Sequence, residues 1–148
     1  MRYKKCFAKC IGSFLKAPFK KGGVGPDGYD CIGLLDALAT ELDLEHPIEF
    51  ESWNKDNYSD LYEKDPKVAS EVMLRFFDSF AEKLDINRVV AGDLIVVEQS
   101  DGVLFPALYT GSGNAVTSTI RNGVCVIHID DLNKIKFAWR MTCRQKLQ

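Results

Sequence analysis

The chain has little that would hold a metal, cross a membrane or bind a polyanion. Only two histidines, His46 and His128, occur among its 148 residues, and there is no Cys-x-x-Cys pair. The five cysteines (Cys6, Cys10, Cys31, Cys125 and Cys143) match neither a zinc ribbon nor an even disulfide set. Reduced thiols in a reducing compartment are therefore expected, with no metal and no cofactor. Cys6 and Cys10 would share a helix face, but a metal there would need two further ligands. No apolar run approaches the roughly 20 residues of a membrane span. Lys9 and Lys16 interrupt the apolar core that a signal peptide would need after the basic start, which predicts a cytoplasmic chain without its own export signal. A net charge of −2 argues against nucleic acid as the main partner, since a phosphate-binding surface needs a local excess of cations. The basic residues of the first twenty-one positions alternate with apolar ones, as on a solvated helix face. Internal repeats and low-complexity tracts are also missing.

What is present is a chain long enough to bury one core without staples. Tyr3, Phe7, Cys10, Ile11, Phe14 and Leu15 predict a helix over 2–16, broken at Ala17-Pro18-Phe19. A glycine-rich loop over 20–28 leads into a second helix marked by Ile32, Leu34, Leu35, Leu38, Ala39 and Leu42, with Asp30 as N-cap. Residues 43–65 are polar and read as loop. Pro66 suits the start of a third helix with a core stripe of Val68, Val72, Met73, Phe76, Phe77, Phe80 and Leu84. After Asn87 the period shortens to two, predicting strands over 93–97, 103–110, 115–120, 124–129 and 135–141. The turns between them include Gln99-Ser100-Asp101-Gly102 and Arg121-Asn122-Gly123. Helices followed by an antiparallel meander make an α+β fold. One domain over 1–148 is expected, helical over 1–88 and sheet over 89–148.

The stretch from Gly22 to Leu35 is the chemical focus. Gly23 and Gly28 have P-loop spacing, but Tyr29-Asp30 stand where Lys and Ser or Thr are needed. The loop also follows a helix, whereas a dinucleotide loop follows a strand. Phosphate binding is excluded. A cysteine in the first turn of a helix remains: the macrodipole and unpaired N–H groups there favour the thiolate. The same N–H groups can stabilise an oxyanion. The plainer alternative is a helix-start cysteine that only packs.

Tyr29-Asp30-Cys31-Ile32-Gly33-Leu34 resembles the Tyr-Asp-Cys-Ser-Gly-Leu motif of the NlpC/p60 family, papain-like cysteine peptidases that cut bacterial cell-wall peptides. Ile11-Gly12-Ser13-Phe14 and Ala17-Pro18-Phe19 are similar to the helix and Pro-Phe/Tyr turn before that motif. Ala91-Gly92-Asp93-Leu94 is similar to the family's Gly-Asp-Leu strand, and Leu108-Tyr109-Thr110-Gly111-Ser112-Gly113 to its Ile-Tyr-Leu-Gly-Asn-Gly strand and turn. The resemblance implies a papain-like fold, N-terminal helices packed on an antiparallel sheet or barrel. It implies Cys31 as nucleophile, with Tyr29 and Asp30 in support, and a peptide or cell-wall fragment as partner. The long middle segment, 43–88, resembles the phage and prophage branch, which implies phage tail proteins as partners and a virion-associated location.

The resemblance also implies a histidine base at Phe105 and a third polar residue at Thr117 or Ser118. Phenylalanine accepts no proton, and a positioned acid–base group contributes about a hundred- to ten-thousand-fold. Ile32 replaces the serine after the cysteine. His128, in the apolar strand Val124–Ile129, is a candidate substitute base; His46 before Pro47 reads as an exposed loop residue. Three readings remain open: a hydrolase using Cys31 with His128, a non-catalytic binding or assembly module, and a redox or acyl-carrying thiol protein.

Overall fold

A computed structural model describes residues 4–47, 53–99, 102–129 and 134–142. The side chain of Cys6, all of Cys143 and the Ser100-Asp101 tip lie outside the described residues. Helix α1 (Lys4–Phe14) buries Phe7 and Ile11. Helix α2 (Cys31–Glu41) buries Ile32, Gly33, Leu34, Leu35, Leu38 and Ala39, so it is the core helix that its apolar sequence predicts.

Part of the segment read as loop, residues 54–64, is helical. A π-helical turn (Asn54–Tyr58) runs into α3 (Ser59–Lys64). Its aromatic residues lie five and four apart, at 53, 58 and 62, a spacing that an i, i+5 turn accommodates and a 3.6-residue search overlooks. Trp53 stacks on Phe76 with centroids 3.9 Å apart and on Tyr58 at 5.9 Å, and Tyr58 in turn leans on Tyr62. Phe76 belongs to α4 (Pro66–Phe80), which Pro66 opens as expected and Asp65 caps at the Val68 N–H. Two members of the predicted stripe depart from it: Val68 is exposed, and Leu84 lies beyond the helix, where it packs against a second apolar cluster.

Leu84 belongs instead to a short strand, β1 (Glu82–Leu84), which the sequence reading missed. The remaining strands are β2 (Leu94–Glu98), β3 (Leu104–Gly111), β4 (Asn114–Thr119), β5 (Gly123–His128) and β6 (Ile135–Arg140). They form an antiparallel sheet in the order β1-β6-β2-β3-β4-β5. The meander holds from β2 to β5, after which β6 crosses back to pair with β2 on one side and β1 on the other. Strands β2 and β6 are therefore internal, and β2 is apolar on both faces. Leu94, Val96, Leu108, Val116 and Trp139 face the helices, while Ile95, Val97, Ala107, Ala115 and Ala138 build a second apolar cluster. Asp93 of the Gly-Asp-Leu stretch braces this frame. It is buried, accepts from the Val90 N–H, and receives both Nε and Nη2 of Arg140 at 2.9 and 2.8 Å. The fold class is α+β.

Candidate functional site

Asp30 sets the geometry at the start of α2. In its extended conformation it caps the helix, one carboxylate oxygen accepting from the Gly33 N–H at 2.7 Å. The other oxygen accepts from the Gly22 N–H at 2.9 Å, and Asn54 Nδ2 reaches both, at 3.1 and 2.9 Å. Elsewhere in the loop, the Gly23 and Gly25 N–H groups donate to the Lys20 and Gly28 carbonyls. The N–H groups of Gly22, Gly23 and Gly25 are thus taken up within the chain, one of them by a carboxylate. Gly33 is required for a different reason: a β-carbon there would overlap the Gly23 carbonyl, so only glycine lets the loop close onto the helix. Ser118 Oγ donates to the Tyr29 carbonyl at 2.7 Å and ties the same junction to β4. Tyr29 itself packs edge-on against Phe14, 5.5 Å away.

The junction opens on a cavity of about 560 Å³ lined by Phe19, Cys31, Tyr58, Tyr62, Phe105 and Ser118, among others. The structure therefore brings Cys31 and Phe105 to one space. Thr117 is not part of it: the residue is buried and its hydroxyl donates to the Pro106 carbonyl at 3.0 Å. Ser118, the other position considered, does line the cavity. His128 is exposed at the far end of the β4–β5 hairpin, opposite Asn114, whose side-chain oxygen it meets at 2.9 Å. Ser118 is four residues further along β4, a rise of roughly 13 Å. His128 as a base for Cys31 is thus a reading the geometry corrects. His46, expected to be exposed, has a side chain only 8% exposed, held against Asp36 at 3.1 Å and the Leu44 carbonyl at 2.7 Å. Neither imidazole lines the cavity.

Burial pushes the Cys31 thiol far above its ordinary range, and the Asp30 carboxylate adds to the effect. The N–H groups of Ile32 and Cys31 and the nearby Tyr58 hydroxyl favour the thiolate but do not prevail. Tyr58 is likewise raised well above the usual phenol, first by burial and then by the charges of Cys31, Tyr62 and Asp30. Both shifts favour the neutral forms. Asn54 and Tyr58 were missed by sequence reasoning; the one available signal was a Trp-Asn start to an aromatic segment with five-residue spacing. Among the described residues, no group of three or more His, Cys, Asp or Glu side chains could hold a metal.

A helix-start cysteine over an antiparallel sheet, reached through a glycine loop, has clear relatives among solved structures. The NlpC/p60 domain of the peptidoglycan hydrolase SagA shares 17% identity and a TM-score of 0.59, covering 93% of this chain and 97% of that one. The chain has the NlpC/p60 fold. RipD from Mycobacterium tuberculosis, described as a non-catalytic NlpC/p60 domain protein adapted to peptidoglycan binding, shares 18% identity and a TM-score of 0.57, with 95% and 98% covered. A lipoprotein-like NlpC/p60 family protein of Staphylococcus aureus reaches a TM-score of 0.63 at 13% identity, and the chain spans 41% of its length. No protein-family profile matches the sequence, and no curated protein does. The NlpC/p60 fold is therefore established by structure, at identities where sequence comparison is silent.

Proposed function

We propose that this NlpC/p60 fold serves as a cell-wall peptide-binding module that keeps the nucleophile's position without hydrolysing its ligand. One observation carries the reading: Phe105 stands in the same cavity as Cys31, and no imidazole lines it. A papain-type step needs a base to take the thiol proton and an acid to return it to the leaving amine. No imidazole lines the cavity to do either, and burial together with the Asp30 carboxylate favours the neutral thiol. Support also comes from RipD, a non-catalytic relative in fold whose described adaptation is to peptidoglycan binding.

The test is to incubate the purified chain with peptidoglycan stem peptides containing the γ-glutamyl–diamino-acid bond. Titration calorimetry is expected to register binding, and mass spectrometry is expected to return the peptides intact. Cleavage products that vanish in Cys31→Ala would overturn the non-hydrolytic reading, and absence of binding would overturn the cell-wall one.

A further inference from the structure

The wall of the cavity beside Cys31 is mostly apolar, with Phe19, Tyr58, Tyr62, Phe105 and Ile120 among its residues. Its volume of about 560 Å³ falls within the range of small-molecule sites, about 300–1,000 Å³. Ile120 is 84% exposed and marks the mouth. A solitary exposed apolar side chain is ordinary on a protein surface. This one differs because it carries the apolar wall of a cavity outward into solvent.

The charged residues of that wall, and the hydroxyls of Ser118 and Thr119, already have partners. Lys21 is paired to Asp60 at 2.7 Å and to Glu63 at 3.1 Å. The Asp30 carboxylate accepts from the Gly22 and Gly33 N–H groups and from Asn54. Ser118 Oγ donates to the Tyr29 carbonyl, and Thr119 Oγ1 accepts from the Asn122 N–H at 3.1 Å. A cation entering the cavity would therefore have to take a carboxylate from Lys21 or from the donors around Asp30. An anion would meet the Asp30 charge that already disfavours the thiolate of Cys31 and the phenolate of Tyr58. An uncharged apolar group meets neither cost and gains by leaving water. The cavity is also larger than any one side chain, which leaves room for a chain of carbons.

We propose that this cavity is a site for an uncharged alkyl chain, with Phe19, Tyr62 and Phe105 as its wall and Ile120 as the residue that covers the chain at the mouth. The site goes beyond the cell-wall reading and does not depend on it: a stem peptide bound by the same protein would keep its charged groups outside this space.

The experiment titrates the full chain with n-alkanols from butan-1-ol to octan-1-ol, followed by amide NMR shifts. Shifts are expected at Cys31, Ser118, Thr119 and Ile120, and the affinity is expected to rise about fourfold with each methylene. Octanoate and octylammonium are expected to bind more weakly than octan-1-ol. Ile120→Ser, at an exposed turn position, is expected to weaken octan-1-ol by about threefold or more and to leave the melting temperature unchanged. Shifts that map elsewhere, an affinity that stops rising at butan-1-ol (the size of a peptide side chain), preference for either ion, or equal affinity in wild type and Ile120→Ser would each overturn the assignment. The length series is measured on the wild type, so it decides even where the variant folds poorly. If stem peptides fail to bind while the alkanols behave as expected, the cell-wall reading falls and the alkyl site stands. Stem-peptide binding without alkanol binding would have the opposite meaning.

Discussion

Asp30→Ala is expected to destabilise the protein by about 3 kcal/mol or more, read as a shift of the urea midpoint with an unchanged slope. The carboxylate serves three donors at once: the Gly22 and Gly33 N–H groups and the Asn54 side chain. Removing it strips α2 of its N-cap, worth about 1 kcal/mol. It also leaves two more donors without partners, the buried Asn54 amide and the part-buried Gly22 N–H, at about 1–3 kcal/mol each. Against a total stability of about 5–15 kcal/mol that is a large share. Asp30→Asn keeps the shape but turns one acceptor into a donor that faces other donors, so a comparable loss is expected. A change below about 1 kcal/mol in both variants would mean that the glycine loop, the helix start and the π-turn are held together by something other than this carboxylate.

Phe105→His is expected to raise the iodoacetamide alkylation rate of Cys31 at neutral pH by roughly tenfold or more. The side chain at 105 shares the cavity with the thiol, and an imidazole there would stabilise the thiolate and accept its proton. Each unit by which the thiol pKa falls increases the thiolate population about tenfold while pH stays below it. Peptide turnover is expected to stay far behind the gain in reactivity. Thr117, the position that should orient such an imidazole, already donates its hydroxyl to the Pro106 carbonyl. An alkylation rate equal to wild type would show that position 105 does not reach the sulfur.

The sequence was most legible where a single physical rule dominates. Asp30 was readable as an N-cap because the apolar helical pattern begins directly after it, and Pro66 as a helix start because its ring fits only the first turn. The strands were readable from alternation and turn residues, to within one or two residues at their ends. Strand β1 was not, because three residues at a sheet edge, with Glu82 and Lys83 exposed, leave no periodic trace. The crossover of β6 was equally hidden, since nothing local in Ile135–Arg140 says which strand it joins. At the site, the position of Cys31 and the company of Phe105 followed from motif order, whereas the role of Thr117 did not. Alternation places Thr117 one residue away from the cavity-lining Ser118, and that parity is set by the register with β3. Asn54 and Tyr58 escaped because a π-turn has no signature in a search for 3.6-residue spacing.

The proposal that Cys31 is retained in this NlpC/p60 fold without being activated can be tested without knowing the ligand. The measurement is the pH dependence of Cys31 alkylation in the wild type, with Cys31→Ser correcting for the other thiols. A free thiol levels off above about pH 8.5. With burial and Asp30 holding the thiol up, the rate is expected to be slow at neutral pH and to keep climbing about tenfold per pH unit beyond that point. A fast rate that has already levelled off below neutral pH would reveal an activated thiolate, and would contradict the account.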